Sequence, residues 1–272
     1  MTGGREDLPR LVKPVAVFDA GIGSYAAVAA LRRSLPQQDI LYFADRASFP
    51  YGAKSRAELL AILRKTLLFL AEFDPAAILV ASNAPSITVL DDLMDVVSVP
   101  VLGVRPPVRE ALSVAGSGEV AVLGVRSMVE SPELRAYADR EADGQGGRVR
   151  LVDASALVEL VEGGDFLFRR DETQAAVDAF VAELDRRHPG ISVITLSSTH
   201  LPWLREYIAR AAGGRALLDP IDDAVAAILP HGVAGSGEIA ALVTANERYG
   251  AAEFQAMLAR IGVTLPLHVV RT

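Results

Sequence analysis

Short runs of apolar residues alternate along the chain with longer stretches in which apolar residues recur every three or four positions. The spacing in the longer stretches is typical of amphipathic helices, which we predict at residues 26–35, 58–73, 173–187 and 201–212. The apolar runs suit strands buried on both faces, at residues 15–18, 40–43, 77–81, 99–104, 120–123, 149–152 and 191–196. This alternation predicts an α/β fold with mostly parallel sheets covered by helices.

The composition indicates a folded, acidic protein with a small-molecule partner. Hydrophobic residues make up 51% of the 272 residues and charged residues 22%, which is enough to build a sizeable core and excludes disorder over the whole chain. The net charge is −7, and no cluster of Lys and Arg stands out. Nucleic acids and anionic membranes attract positive surfaces, so neither is expected as a partner.

Several kinds of site and location are disfavoured by residues that the chain lacks. Residues 1–14 are polar and have no apolar signal-peptide core, and the most apolar stretch, residues 59–73, is interrupted by charges, so we expect a cytoplasmic protein. The absence of cysteine excludes disulfides and any thiol nucleophile. No metal site is expected either, because paired ligand spacing is absent among His188, His200, His231 and His268.

Polar residues follow four of the predicted strands, where ligands of open α/β sheets bind. After the first strand, Asp19 precedes Gly21 and Gly23, which permit a close approach of the backbone to a ligand. With Ala26, this stretch also fits a permissive dinucleotide fingerprint in which Asp39 would bind a ribose. An acid directly before the glycines would repel a pyrophosphate, and Asp39 precedes its strand, so both features disfavour a nucleotide. A plain structural turn is a further alternative.

The second segment places Asp45 and Tyr51 on a loop rich in turn residues, after the second predicted strand. The alternative to a binding role is a rigid surface turn with a solvated carboxylate. The third and fourth segments are residues 82–86 and 197–200, which are rich in Ser, Asn and Thr. Such residues often cap the following helix. As a pair, however, they would bring two hydroxyls and two helix N-termini to one cleft, suited to a small carboxylate.

These segments resemble the cofactor-independent glutamate racemases, within the wider aspartate/glutamate/hydantoin racemase superfamily. Residues 17–23 (VFDAGIG) resemble the family's VFDSGVGG, and residues 42–45 (YFAD) with 50–52 (PYG) resemble its YFGDT followed by PYG. Residues 81–86 (ASNAPS) resemble ACNTAS, and residues 196–202 (LSSTHLP) resemble LGCTHYP. The motifs occur in the family's order over nearly the whole chain.

The resemblance implies two similar α/β domains with mostly parallel sheets that face each other across a central cleft. The first would comprise residues 1–105 and 216–272, with a late strand near residues 267–270, and the second residues 106–215. In the family each domain supplies one cysteine; one thiolate removes a proton from the α-carbon and the opposite thiol returns one to the other face. The resemblance also implies no cofactor, a small carboxylate or amino-acid-like ligand, and self-association into a homo-oligomer.

Carried over residue by residue, the resemblance gives a candidate site in which serines replace the thiols. Ser82 and Ser198 occupy the two cysteine positions, and Asp19 and His200 remain as acid–base partners. We expect these four to be the catalytic residues. The substrate-binding candidates are Asp45, Tyr51, Asn83, Ser86, Thr199 and Gly21.

Other positions depart from the family and make the expected pocket more apolar. Ala20 and Ala84 stand where the family has serine and threonine, and Pro106 replaces a glutamate. Val125 and Met128 stand where threonines are expected near the ligand. These changes accompany the loss of both thiols, which favours a changed function.

The sequence leaves three functions open. A serine hydroxyl is far less acidic than a thiol and needs a neighbouring base, so two-base racemisation of glutamate is expected to be very slow. We favour an enzyme with altered acid–base chemistry on a small carboxylate or a related cyclic amide, an isomerase or a diverged lyase or hydrolase. The alternatives are a non-catalytic ligand-binding or regulatory protein, and a residual glutamate or aspartate racemase.

Overall fold

The apolar runs form two parallel sheets in a computed structural model, which describes residues 10–272. The expectation drawn from the polar N-terminal segment therefore lies largely outside the described residues. By its internal contacts the chain divides into two units, one formed by the chain up to Val104 together with Ile221–Thr272, the other by Arg105–Pro220. The predicted α/β class with two parallel sheets is confirmed.

The strands carry the numbering used below. In the described chain they are β1 (Val15–Asp19), β2 (Ile40–Asp45), β3 (Ala77–Val80), β4 (Val101–Gly103), β5 (Glu119–Gly124), β6 (Val149–Asp153), β7 (Ile191–Leu196), β8 (Ala216–Leu218), β9 (Ile239–Thr244) and β10 (Leu267–Val269). The first sheet has the order β10-β9-β2-β1-β3-β4 and the second β6-β5-β7-β8. Apart from β9 and β10, the two sheets therefore have the same strand order, which makes β3 and β7 equivalent.

Helices connect the strands. They are α1 (Tyr25–Ser34), α2 (Arg56–Ala71), α3 (Asn83–Thr88), α4 (Val108–Ala115), α5 (Arg126–Val129), α6 (Pro132–Ala142), α7 (Ser155–Glu162), α8 (Asp165–Phe168), α9 (Arg170–Arg187), α10 (Arg205–Ala211), α11 (Pro220–Ile228) and α12 (Ala251–Arg260). Short 3-10 helices occur at Ile22–Ser24, Arg46–Ser48, Tyr51–Ala53, Leu90–Leu93, Gly146–Arg148, Leu201–Leu204 and Leu229–His231. No helix in residues 10–272 is long and apolar enough to cross a membrane.

Helix α2 shows how the sequence builds the first unit. Ser55 and Glu58 form a capping box that fixes its first turn, and leucines recur on one face of the helix. Leu59, Leu63 and Leu67 pack in a cluster with alternate residues of β1, β2, β3 and β9. Burying each such leucine contributes about 2 kcal/mol. This packing holds the first sheet rigid, so the ends of its strands are fixed relative to one another.

The second unit has a smaller core of the same kind. Val108, Ala111 and Leu112 of α4 pack against Val120 and Val122 of β5, together with residues of α6, β6 and β7. The apolar residues of α4 recur every three or four positions, so they form one face of the helix.

Some elements differ from the sequence-based expectation. Strands β8 and β9 were not predicted, and β8 pairs with β7, so residues 216–218 belong to the second sheet, whereas the resemblance returned the chain to the first domain at residue 216. The helix expected over residues 201–212 begins as a 3-10 helix. There the Trp203 N–H donates to the His200 carbonyl, and Pro202 has no N–H to donate.

Asp39 anchors the amino end of the first sheet and does not lie where a ribose would bind. Its Oδ1 accepts from the Ser236 N–H (2.8 Å), the Ser236 hydroxyl (3.0 Å) and the Glu238 N–H (3.1 Å), and its Oδ2 accepts from the Val12 N–H (2.8 Å). Burial works against ionisation of Asp39, but these hydrogen bonds outweigh it and lower its pKa. Because Asp39 precedes β2, it lies at the opposite edge from the strand ends, and the nucleotide alternative loses its ribose-binding acid.

Candidate active site

The first unit collects its polar candidates at the carboxyl edge of the sheet. Asp19 is the last residue of β1, Asp45 of β2 and Thr244 of β9. In the register of these neighbouring strands Asp19 is opposite Ala44, and Asp45 is opposite Thr244. Ser82 lies two residues beyond the end of β3, which is the other neighbour of β1. The first three polar segments of the sequence therefore lie at one edge of the first sheet.

Asp45 is held by two hydroxyls and is not a solvated surface carboxylate. Thr244 donates to its Oδ1 at 2.7 Å, and Tyr51 donates to its Oδ2 at 3.1 Å. Burial raises the pKa of Tyr51 well above its usual value, and the charges of Asp45 and Asp19 add to this effect. The phenol therefore stays protonated and acts as a hydrogen-bond donor. Thr244 was not predicted from the sequence, because it ends a strand that was itself missed.

The Ser82 hydroxyl makes no hydrogen bond to any residue from 10 to 272. Ser82 is the N-cap residue of α3, yet its side chain makes no capping hydrogen bond. The Ser86 hydroxyl, by contrast, lies 2.6 Å from the Ser82 carbonyl oxygen and accepts from the Val104 N–H at 3.1 Å. Ser86 is fully buried, so its hydroxyl holds together the chain segments behind Ser82.

Asn83 presents a buried acceptor. Its Nδ2 donates to the Val104 carbonyl at 3.2 Å, but its Oδ1 has no hydrogen-bond partner among residues 10–272. An unsatisfied buried acceptor costs about 1–3 kcal/mol, which a ligand N–H would recover. Next to β1, Gly21 caps the short 3-10 helix, and its carbonyl accepts from the Ser24 hydroxyl at 2.9 Å.

Arg46 is a further residue of this edge that sequence analysis did not single out. It follows Asp45 directly, and its side chain is fully buried. Its guanidinium donates to the Ala20 carbonyl at 3.0 Å and lies over the rings of Phe49 and Phe254, at 4.4 and 5.2 Å from their centroids. This buried cation fixes the turn that follows Asp19, at the position where the resemblance expects a serine. The sequence did not indicate that Arg46 is buried, because a charged residue that follows a strand is ordinarily exposed.

In the second unit, Ser198, Thr199 and His200 form the turn after β7, and all three are buried. Ser198 lies two residues beyond the end of its strand, as Ser82 does in the first unit. The Ser198 Oγ lies 3.5 Å from the His200 Nδ1, at the outer limit of a hydrogen bond. The Leu201 N–H donates to the Ser198 carbonyl at 2.9 Å and closes the turn.

Glu162 completes this group and was not predicted from the sequence. Its Oε1 lies 2.5 Å from the His200 Nε2. With Glu162 ionised and the ring neutral, the carboxylate can only accept, so Nε2 carries the ring proton and Nδ1 presents its lone pair to Ser198. Glu162 lies 38 residues from His200 in the chain, a separation at which no local pattern connects them.

The end of α7 brings Glu162 to the strand edge. Leu157 and Val161 form its buried face, and α7 contacts the 3-10 helix Leu201–Leu204 that follows His200. Glu162 is the last residue of α7, and Gly164 then adopts a left-handed conformation with φ of +77°. That conformation favours glycine and turns the chain away directly after the carboxylate.

Two of the positions that depart from the family motifs, Met128 and Pro106, are buried. Met128 is fully buried, and its Cε would lie 2.2 Å from a Cβ placed on Gly124. The Pro106 carbonyl accepts from the Tyr137 hydroxyl at 3.0 Å.

Among residues 10–272, no group of three or more His, Asp or Glu side chains is arranged to hold a metal ion.

Taken separately, the two edges can do different chemistry. The first offers a fixed carboxylate, a free serine hydroxyl and a buried amide acceptor, which suit binding of a ligand with N–H groups. The second places a histidine between a serine and a carboxylate in space. A proton leaving the serine can therefore pass to the ring while the carboxylate balances the resulting charge.

Comparison with known proteins connects this geometry to one family. The sequence model described as Asp/Glu/Hydantoin racemase matches residues 26–228. A glutamate racemase of Herpetosiphon aurantiacus is 33% identical over 210 residues, which cover 76% of this chain and 80% of that protein. A glutamate racemase of Thermus thermophilus is 34% identical over 215 residues, covering 76% of this chain and 74% of its own.

Solved structures agree with the sequence relatives. Escherichia coli glutamate racemase, in complex with L-glutamate and the activator UDP-MurNAc-ala, superposes with a TM-score of 0.79 at 26% identity, covering 96% of this chain and 100% of its own. Thermus thermophilus glutamate racemase, in complex with β-chloro-D-alanine, gives a TM-score of 0.75 at 28% identity, covering 95% and 96%. The similarity therefore extends over both units of this chain.

Proposed function

Because the chain belongs to the Asp/Glu/Hydantoin racemase family, we propose that it is an enzyme that moves a proton to and from a carbon atom next to a carboxylate or carbonyl group. The observation that carries the proposal is the series Ser198, His200 and Glu162 at the carboxyl end of β7. These residues supply a base at the end of β7, where the resemblance expects a cysteine. The chain itself contains no thiol.

The proposed proton transfer passes through the serine in one concerted step. The Ser198 Oγ takes the proton from the substrate carbon while its own proton moves to the His200 Nδ1. Glu162, bonded to the Nε2, balances the positive charge that forms on the ring. A free serine alkoxide never forms, and this matters because the hydroxyl is a very weak acid without a neighbouring base.

The group formed by Ser198, His200 and Glu162 suits a substrate with an acidified C–H bond. Imidazole has an ordinary pKa below that of a thiol, so it is the weaker base and suits a carbon acid activated by two carbonyl groups or a cyclic amide. Substituted malonates and hydantoin-like cyclic amides meet this requirement better than free glutamate does.

Proton exchange is proposed to occur mainly at one face of the carbon. Ser198 lies next to His200, so the same group can remove the proton and return it. A proton removed and returned by the same group preserves configuration. Exchange with solvent should therefore be faster than inversion, which is the opposite of what an efficient racemase shows.

The test follows the hydrogen on the substrate carbon by proton NMR in deuterated buffer, with L- and D-amino acids, hydantoins and substituted malonates. We expect the signal of at least one compound to disappear with retention of configuration, and Ser198→Ala or His200→Ala to abolish this exchange. Ser192→Ala is the matched control, because Ser192 lies near the other end of β7. Exchange that survives both site substitutions would overturn the proposal.

A non-catalytic ligand-binding protein is the second candidate. It is supported by the absence of cysteine and by alanines at positions 20 and 84, where the resemblance expects hydroxyls. Calorimetry with the same compounds distinguishes the two functions. A ligand that binds tightly and is recovered unchanged, with no exchanged hydrogen, supports binding alone, and prompt conversion excludes it.

Residual glutamate or aspartate racemisation is a third candidate, which follows from the names of the relatives. Its test restores the thiols with Ser82→Cys and Ser198→Cys together. A rise in the racemisation rate would show that the chain still accepts the amino acid and lacks only the reactive groups. If the rate does not rise, recognition of glutamate has been lost as well.

A further inference from the structure

We propose a second activity for the same residues: Ser198 is a nucleophile that attacks activated acyl compounds, namely esters or strained cyclic amides of small carboxylic acids, and is released by hydrolysis. The proposal rests on the contacts among Ser198, His200 and Glu162 and does not require any carbon-acid chemistry. Either activity can therefore fail while the other stands.

The three side chains have the roles that nucleophilic catalysis by serine requires. A base lies within reach of the hydroxyl, 3.5 Å from the Ser198 Oγ to the His200 Nδ1, and an orienting carboxylate lies 2.5 Å from the Nε2. The longer of these distances is typical of a site without substrate, where such contacts are loose and shorten on binding. The two ring nitrogens are chemically able to exchange roles, so a base at Nδ1 serves as well as one at Nε2.

Other serines nearby do not share this arrangement. The Ser197 hydroxyl is fully buried and bonded to Thr195 at 2.8 Å, so it faces neither the base nor a ligand. Ser82 ends the equivalent strand and has no hydrogen-bonded base. The geometry therefore selects Ser198 among the serines that follow the two equivalent strands.

The turn also offers a donor for the developing negative charge. The Thr199 N–H follows the nucleophile directly and donates to no acceptor in the part of the chain that the structure describes. A backbone N–H next to the nucleophile is suited to stabilise the oxygen of a tetrahedral intermediate. Glycine is absent from this turn, so its conformation is more restricted than that of a glycine-rich loop.

The proposed hydrolysis requires only Ser198, His200 and one water molecule to transfer its protons. The proton of Ser198 moves to the His200 Nδ1 as the Oγ forms a bond to the carbonyl carbon. The tetrahedral intermediate then breaks its bond to the leaving alcohol or amine, which takes that proton from His200. Water attacks the acyl-serine, gives a proton to His200 and releases the carboxylic acid, and the Oγ recovers its proton from the ring.

The experiment uses diisopropyl fluorophosphate, whose phosphorus accepts the serine oxygen while fluoride leaves. We expect the intact protein to gain one diisopropylphosphoryl group, and peptide mass spectrometry to locate it on Ser198. Ser198→Ala should prevent the adduct, and Glu162→Gln should slow its formation by about tenfold or more, because the ring loses its orienting charge. The control Ser192→Ala should react at the rate of the unaltered chain.

Hydrolysis of p-nitrophenyl acetate gives an independent reading on the same variants. We expect a burst of p-nitrophenol close to one equivalent, followed by slower turnover, and loss of the burst in Ser198→Ala. An adduct on Ser82 or on a surface residue, or an equal adduct in Ser198→Ala, would overturn the proposal. Circular dichroism of each variant verifies that the fold is retained, and deuterium exchange on the same samples reports separately on the proposed function.

Discussion

Ser82 and Ser198 each lie two residues beyond the end of an interior strand, in sheets with the same local strand order, but their surroundings differ. The Ser82 hydroxyl makes no hydrogen bond in the described chain, and the neighbouring carboxylate of Asp45 is held by Thr244 and Tyr51. Ser198 lies beside His200, which is itself bonded to Glu162. Equivalent positions in the two sheets thus carry one serine without a hydrogen-bonded base and one with a base.

The difference shows that a strand end sets the position of a hydroxyl but not its partners. In the second unit, α7 brings Glu162 to the His200 ring from a separate part of the unit. In the first unit, the corresponding polar residues are used to hold the strand ends and the turn after Asp19 together. The first unit therefore holds its polar groups by fixed hydrogen bonds, and the second places a histidine between a serine and a carboxylate.

The largest expected effect separates the two serines. His200→Ala should lower the rate of deuterium exchange by about 100-fold to 10,000-fold, the range that a general base contributes, whereas Ser82→Ala should lower it by less than about threefold. Exchange rates of the best substrate from the NMR panel provide the measurement. Equal losses in the two variants would remove the asymmetry on which the comparison rests.

Asp39→Asn tests the claim that the carboxylates of the first unit are structural. The Asn oxygen can keep the contacts to Ser236 and Glu238, but its amide N–H group would face the Val12 N–H, so we expect a loss of about 3 kcal/mol in stability at neutral pH. Urea unfolding gives the value, and the exchange rate of the folded variant should not change.

The same variant has a pH dependence with a definite sign. The pKa of Asp39 is lowered in the folded protein, so its stabilisation is complete above the ordinary value of about 4 and is lost as pH falls through the folded-state pKa. The stability difference between the unaltered chain and Asp39→Asn should therefore shrink below about pH 4. A difference that stays constant down to about pH 2 would show that its charge plays no part.

Glu162→Gln probes the contact that distinguishes the second unit. We expect the exchange rate to fall about 30-fold, or about 2 kcal/mol, because the neutral amide cannot balance the charge on His200. The unfolding free energy should change much less than the barrier does. A variant that exchanges at the full rate would reduce Glu162 to a packing residue.

Thr244→Val gives the smallest expected effect and concerns the hydrogen bond from Thr244 to Asp45. Valine has the shape of threonine but cannot donate to the Asp45 Oδ1 or accept from the Ala47 N–H, so stability should fall by about 1–2 kcal/mol. Thermal unfolding measures the loss, with Thr88→Val as a control, because Thr88 donates only to a carbonyl within α3. A larger loss of stability in Thr88→Val would argue that the hydrogen bond from Thr244 to Asp45 contributes little.

Much of the fold could be predicted because it depends on local patterns. The buried runs at β1, β2, β5 and β7 are mostly apolar on both faces, which suits strands of a covered parallel sheet. The strands β8 and β9 were missed, although β9 is as buried as the others. A short apolar run gives no period by which to tell a strand from a helix, so only its pairing with β2 identifies it.

The candidate site divides in the same way. The sequence by itself determined which residues lie at or just beyond the strand ends, among them Asp19, Ser82, Ser198 and His200, because motif order and strand ends are local properties of the chain. It also fixed the absence of any thiol. Only the tertiary structure decided that Glu162 contacts His200, that Arg46 is buried under aromatic rings and that Asp39 anchors the opposite edge. These facts depend on which distant segments pack together, and the physical reason is that hydrogen bonds and charges act over a few ångströms of space, whatever the separation along the chain.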